Sequence, residues 1–187
     1  MSGERASLSE RRWPLSPLLE IRLYEDRLEA WNGAVLERRI PLDSVREVRM
    51  AVEPAGQQRV VVCRVTGPGG EIAFSSLRAE NGGWVDNLRD FQRVLVALHK
   101  GLLPQAGEIA FVEGQSLKFR LIMSGAGAVL FAAALSYCVY MLLVEGAAML
   151  ALAGAPFALV GAALAVVFRP GRPIPYDPAK LVERFGG

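Results

Sequence analysis

One charged side chain in 48 residues constrains this chain more than any other feature: between 121 and 168 only Glu145 is charged. The run 121–144 is 24 residues without Asp, Glu, Lys or Arg, and the run 146–168 is 23 more. Either run exceeds the roughly 20 residues that a helix rising about 1.5 Å per residue needs to cross a bilayer core of about 30 Å. A single helix through both would be about 70 Å long, more than twice that thickness. Two antiparallel helices with a bend at Glu145 and Gly146 satisfy the length. A glutamate inside the bilayer would mark a working carboxylate. Its position at the midpoint of the block places it at a surface instead, as part of a turn.

The flanks set an orientation. Lys118 and Arg120 precede the first run, Arg169 and Arg172 follow the second, and the bend carries no basic residue. The positive-inside rule then puts both ends in the cytoplasm. Residues 1–17 lack an apolar stretch behind their charges, so no secretory leader is expected. Only three of the 21 basic residues are lysine, a bias typical of GC-rich bacterial genomes, so the expected location is the bacterial cytoplasmic (inner) membrane. Small residues recur at spacing four, Ser124, Ala128, Ala132 and Ser136 in the first run and Gly154, Ala158 and Ala162 in the second. Such stripes let helices approach closely. Pro156 is placed to kink the second helix.

Residues 1–118 are polar and balanced, with 16 Lys+Arg against 16 Asp+Glu. A nucleic-acid partner needs a net basic face to release counterions, so none is expected. Within this part, 1–17 reads as a flexible lead-in. From residue 18 the period is two: LLEIRLY, LEAW, AVLERRI, VREVRMAV, RVVVCRVT and EIAFSS read as six strands joined by short turns. Asn32-Gly33 is a hairpin signal, and GPGG at 67–70 is another turn. The period then changes. Trp84, Leu88, Phe91, Leu95 and Leu98 fall on one helical stripe, which with late His99 and Lys100 and a following Gly101 predicts a helix over 84–100.

Strands followed by one amphipathic helix, carried by LEIRLYEDRLEAW, RRIPLDSVREVRM, RVVVCRVTGPGGEIAFSS and the helix from Trp84, resemble a bacterial pleckstrin-homology-like domain. The resemblance covers about 18–101. It implies an α+β fold, an antiparallel β-barrel or curved sheet capped by a C-terminal helix, here followed by a transmembrane helical hairpin. The whole chain, with Arg169-Pro170, Arg172-Pro173 and Tyr176-Asp177-Pro178 after the last run, is also similar to a group of small bacterial membrane proteins, a likeness that implies no activity. The expected organisation is a domain over 18–104, a linker over 105–118, helices over 119–144 and 146–168, and a cytoplasmic tail over 169–187.

Catalytic chemistry finds little support. His99 is the only histidine, and at a helix end it reads as complementing the dipole. Cys63 and Cys138 have no partners at metal-ligand spacing, and no cofactor is expected. Asn81, Gly82 and Gly83 in ENGGW would expose backbone N–H groups at a helix start, which suits an anion or merely a capped loop. Arg11, Arg12 and Trp13 put a basic pair and an aromatic on a tether, which suits an anionic surface, an interaction peptide or a disordered lead. The expected function is non-enzymatic: a membrane-anchored scaffold or accessory subunit that binds a membrane complex or a cytoplasmic protein. The alternative is a sensor of lipid or a small ligand at the membrane surface.

Overall fold

A computed structural model of the protein describes residues 3–11, 15–55, 57–80 and 82–186. The chain divides into two compact units, one formed by residues 1–114 together with 174–187 and one by 115–173. The first unit is α+β. Its strands run β1 (Glu4–Glu10), β2 (Leu19–Tyr24), β3 (Arg27–Asn32), β4 (Val35–Pro41), β5 (Glu47–Ala55), β6 (Gln58–Gly67), β7 (Gly70–Ser75), β8 (Leu77–Glu80) and β9 (Gly83–Asp86). Helix α1 (Leu88–Leu102) and strand β10 (Ala110–Glu113) follow, and β11 (Ile174–Pro175) comes after the second unit in chain order. Strands β1-β2-β3-β4 make one sheet, β11-β10-β5-β6-β7 a second, and β8-β9 a separate hairpin.

The six expected strands are β2 to β7, all joined antiparallel within their sheets. Alternation dictates which face is buried. Ile21 and Leu23, Leu28, Ile40, Val48, Cys63, Val65, Ile72 and Phe74 point between the sheets, each 2% exposed or less. Phe91, Leu95 and Leu98 of α1 join that core. Each such side chain contributes about 1.5–3 kcal/mol of burial. The sheets stay open and do not close into a barrel, because β4 and β7 end their sheets without pairing to each other. The GPGG turn instead lies directly on β4: a Cβ at Gly69 would sit 2.5 Å from the Arg39 carbonyl oxygen.

Four expectations change. The lead-in contains β1, which pairs with β2 and buries Ala6, Leu8 and Glu10. It looked flexible because its other face is Arg5, Ser7 and Ser9. The helix begins at Leu88 and not at 84, because 83–86 folds back on 77–80 as β9. Trp84 therefore packs on Ala55, Val60 and Val62 behind the sheet. The linker holds β10, which pairs parallel with β5 and buries Phe111 and Val112. The tail holds β11 and helix α5 (Pro178–Phe185). Asp177 caps α5, its carboxylate accepting from the Ala179 N–H at 2.9 Å, with Pro178 at the first position.

The second unit is a helical hairpin: α2 (Leu117–Leu143), a bend, then α3 (Ala148–Leu152) and α4 (Ala155–Val167). Both arms, Leu117–Leu143 and Ala148–Val167, are long and apolar enough to cross a membrane. The second arm breaks before Pro156, which sits in the first turn of α4. Glu145 and Gly146 form the bend, with Gly146 at φ 64° and the Tyr140 hydroxyl donating to Glu145 Oε1 at 3.0 Å. The arms cross at Gly127 and Gly161. A Cβ at Gly127 would meet the Gly161 carbonyl oxygen at 2.7 Å, and one at Gly161 would meet Phe131 N at 2.5 Å. Ser124 donates to the Ala165 carbonyl at 3.2 Å and Cys138 to the Ala151 carbonyl at 3.1 Å. The buried face of α2 thus runs through Ser124, Gly127, Ala134 and Cys138. Ala128, Ala132 and Ser136 of the expected stripe are exposed.

That face is testable. Gly127→Leu is expected to destabilise the hairpin by about 1–3 kcal/mol, the usual overpacking range, and Ala128→Leu to leave it near neutral. Equilibrium unfolding of the full chain in mixed micelles reads the difference.

Candidate functional site

The residues singled out from sequence scatter over the molecule. Arg12, Trp13 and Asn81 lie outside the described residues. Arg11 is half-buried, and its carbonyl accepts from the Ala79 N–H at 2.8 Å. Gly82 lies in the turn between β8 and β9 and Gly83 begins β9, five or more residues from α1. The start of α1 is met by its own chain, Asp86 Oδ1 accepting from the Leu88 N–H at 2.8 Å. Gly82 and Gly83 therefore do not stand at the start of α1. Lys118, Arg120, Arg169 and Arg172 lie at the open end of the helical hairpin, where the Arg120 guanidinium donates to the Arg169 carbonyl.

Three polar groupings stand out in the first unit; of their polar residues, sequence reading had singled out His99, as a partner of the helix dipole, and Tyr176, as part of the Tyr-Asp-Pro step. The first is on the outer face of the first sheet. Glu29, in the middle of β3, faces Arg22 on β2 and Arg39 on β4. Its Oε1 accepts from Arg27 Nε and from Arg39 Nε, each at 2.8 Å, and its Oε2 from Trp31 Nε1 at 2.8 Å. The carboxylate is 1% exposed. Burial alone would raise its pKa, but the bonds from Arg27, Trp31 and Arg39 outweigh that and hold it below the usual carboxylate range. Around it Arg22 lies over the Trp31 ring at 5.3 Å and Arg27 over the Tyr24 ring at 4.3 Å. The result is a face on which the Arg22, Tyr24, Arg27 and Trp31 side chains hold one another in place.

The second grouping is a stitch between the sheets. Glu10, at the end of β1, accepts from the Ser75 N–H at 2.7 Å. The Ser75 hydroxyl is 2.9 Å from Glu10 Oε1 and 2.6 Å from the Leu77 carbonyl oxygen. A carboxylate beside a serine invites a catalytic reading, but both are buried, at 1% and 3% exposure. The pair takes up the backbone of β7 where its ladder ends.

The third grouping fastens the C-terminal segment. Tyr176 N–H donates to the Phe111 carbonyl at 3.1 Å, continuing the β10–β11 pairing. His99 is fully buried. Its Nδ1 is 2.7 Å from the Leu95 carbonyl, which can only accept, so Nδ1 carries the proton. Nε2 is then an acceptor, and the Tyr176 hydroxyl donates to it at 2.8 Å. The two rings and Phe111 pack with centroids 5.7–5.9 Å apart. Burial lowers the His99 pKa, against a smaller opposing effect of the Leu95 bond, and burial pushes the Tyr176 hydroxyl up. His99 is thus a neutral core residue rather than a dipole partner in water. The sequence signal for the fastening was the Tyr-Asp-Pro step with Leu181 behind it, the two apolar residues of this segment that pack on the core being Tyr176 and Leu181.

Two outcomes follow from this fastening. Tyr176→Phe strands a buried acceptor, which costs about 1–3 kcal/mol, and amide exchange over 174–185 is expected to accelerate. Because His99 stays neutral when folded but takes a proton when unfolded near its ordinary value of 6.5, its contribution is whole above that pH. It is lost on acidification below it, by up to about 1.4 kcal/mol per pH unit. Thermal melts of the wild type across that range should show the slope, and His99→Gln should flatten it.

No protein-family model matches the chain, and no curated protein matches it. Among solved structures it is similar to the hSac2 domain from human phosphoinositide phosphatase Sac2, at 8% identity and a TM-score of 0.39, over 62% of this chain and 79% of that chain. A likeness of that degree carries no implication for fold or activity.

Proposed function

We propose that the protein is a non-enzymatic scaffold or accessory subunit of the bacterial inner membrane, in which a pleckstrin-homology-like domain on a helical-hairpin anchor binds a protein partner. The observation that carries the reading is the outer face of β2, β3 and β4. Arg, Trp and Tyr dominate the energetics of protein interfaces, and here Arg22, Arg27, Trp31 and Tyr24 are held by Glu29 and by one another before any partner arrives. Preorganised side chains lose little entropy on binding. The most enclosed polar groups, Glu10, Glu29 and His99, make their bonds within the protein, which favours structural roles for them.

The anchor reading has its own support. Strand β10 precedes the two apolar arms and β11 follows them, yet the two strands pair. Such pairing requires both ends of the hairpin on one side of a membrane, which two spans provide. The basic flanks favour the cytoplasmic side. Antiparallel strands β2 to β7 followed, after the β8–β9 hairpin, by the core-facing helix α1 agree with the strands-then-helix order that the resemblance to a pleckstrin-homology-like domain implies.

The test is recovery of the tagged full chain from native membranes in mild detergent, read by mass spectrometry, beside Trp31→Ala. A stoichiometric membrane complex is expected, weakened at least about 30-fold in the variant if Trp31 is a hot spot worth about 2 kcal/mol. A solitary wild-type protein, or a complex indifferent to the variant, would sink the proposal. Reporter fusions at each terminus are expected to read cytoplasmic.

A further inference from the structure

The open end of the helical hairpin holds positive charge that nothing in its own unit offsets. Residues 115–173 contain five charged side chains: Lys118, Arg120, Glu145, Arg169 and Arg172. The arms are antiparallel, Ser124 meeting Ala165 near one end and Cys138 meeting Ala151 near the other. The four cations therefore share one end and Glu145 holds the bend. The 25 residues from Arg120 to Glu145 correspond to about 37 Å of helix. That is several times the Debye length of about 8–10 Å at physiological salt.

Arg120 is the best placed of the four. It lies one turn into α2, half-buried. Its guanidinium donates to the Arg169 carbonyl just past α4. The chain passes so near that a Cβ at Gly171 would be 3.4 Å from both Nη1 and Nη2. A guanidinium has five N–H donors, and among the described residues the Arg169 carbonyl is the acceptor it meets. Beside it is a cavity of about 200 Å³ lined by Gln115, Arg120, Val167 and Phe168. One wall is hydrocarbon: Val167 is 70% exposed, and Phe168 packs edge-on against Phe119 with centroids 5.7 Å apart. A planar cation fixed by a backbone carbonyl suits bidentate bonding to a phosphate. The hydrocarbon beside it suits the chain that a lipid phosphate carries and a free phosphate does not.

We propose that this end of the hairpin binds the phosphate of an anionic membrane lipid, with Arg120 as the fork and Lys118, Arg169 and Arg172 as the surrounding positive field. The site rests on the membrane-anchor reading. It is independent of which partner the soluble domain binds.

Native mass spectrometry of the full chain, released from micelles with equal phosphatidylglycerol and phosphatidylcholine, tests it. Wild-type protein is expected to retain phosphatidylglycerol about tenfold over phosphatidylcholine, whose phosphate offers the same acceptor oxygens but whose choline cancels its charge in the positive field of Lys118, Arg169 and Arg172. Arg120→Gln is expected to lose that preference, and Lys180→Gln, the same charge change on α5, to keep it. Should Arg120→Gln fail to accumulate, Arg120→Lys replaces it, keeping the charge and losing the fork, and undiminished retention of phosphatidylglycerol there would overturn the site. Equal retention of the two lipids by the wild type would also overturn it, as would displacement of the bound lipid by inorganic phosphate. Release of the protein from membranes by alkaline carbonate is a different failure, which sinks the anchor itself.

Discussion

The pairing of β10 with β11 is the constraint on which the rest depends. Val112 opposes Pro175 and Glu113 opposes Ile174, although some sixty residues of almost uncharged chain separate them. Two strands pair only when their backbones lie about 5 Å apart, so whatever the chain does between 114 and 174 must bring it back. A single crossing of a bilayer would leave the ends about 30 Å apart. An even number of crossings returns them to one side. The bend at Glu145 and Gly146 is thus more than a loop between helices, because it lets residues 174–186 complete the first unit. Tyr176 and Leu181 pack against the core there, and His99 receives the partner its buried Nε2 needs.

Buried polar groups in this protein serve as fasteners. The two sheets end at β4 and β7 without a shared ladder, so the seam must be held by other means. Arg38 Nη1 donates to the Glu71 carbonyl of β7 across 2.8 Å, and the GPGG turn lies on the backbone of β4. On the opposite side Glu10 takes up Ser75, and Asn87 Nδ2 donates to the Ser9 carbonyl at 2.9 Å. An unpaired backbone group in a core costs about as much as a lost hydrogen bond. Side chains that satisfy such groups are therefore worth more than their surface counterparts, whose exposed ion pairs contribute about 0–1 kcal/mol.

What could be read from sequence follows from how strongly each segment states its period. Strand β2 alternates apolar and polar over six residues, and its buried face, Ile21 and Leu23, follows from that alternation; β4, with Glu37-Arg38-Arg39, and β6, with Val60-Val61-Val62-Cys63, are read as strands from their β-rich composition and flanking turns instead. The two apolar arms declare themselves by length. Strand β1 could not be read the same way, since Ala6 and Leu8 are weak apolar signals and its third inward residue, Glu10, is charged. It becomes a strand because β2 offers an edge. Strands β10 and β11 span four and two residues and exist only through their pairing. Trp84 was placed on the helical stripe because it stands four residues before Leu88. The turn at Gly82 overrides that spacing by sending 83–86 back along β8. The Glu29 cluster escaped for another reason: cross-strand neighbours follow from register, and register needs the fold.

The crossing of the two helical arms shows how far a stripe argument reaches. Spacing four picks out Ser124, Ala128, Ala132 and Ser136, but a fixed step of four drifts around a helix that turns every 3.6 residues. A face that stays on a neighbouring helix alternates steps of three and four, as Ser124, Gly127, Phe131, Ala134 and Cys138 do. Glycine at 127 and 161 lets the two backbones approach where any Cβ would collide. That approach brings Ser124 and Cys138 within reach of carbonyls on the other arm. In hydrocarbon, where lipid tails compete equally for apolar contact, close packing and such bonds hold two helices together. The same closeness sets Arg120 beside the end of α4, so a single geometric fact, two glycines facing each other, governs both how the hairpin holds and where its charge is presented.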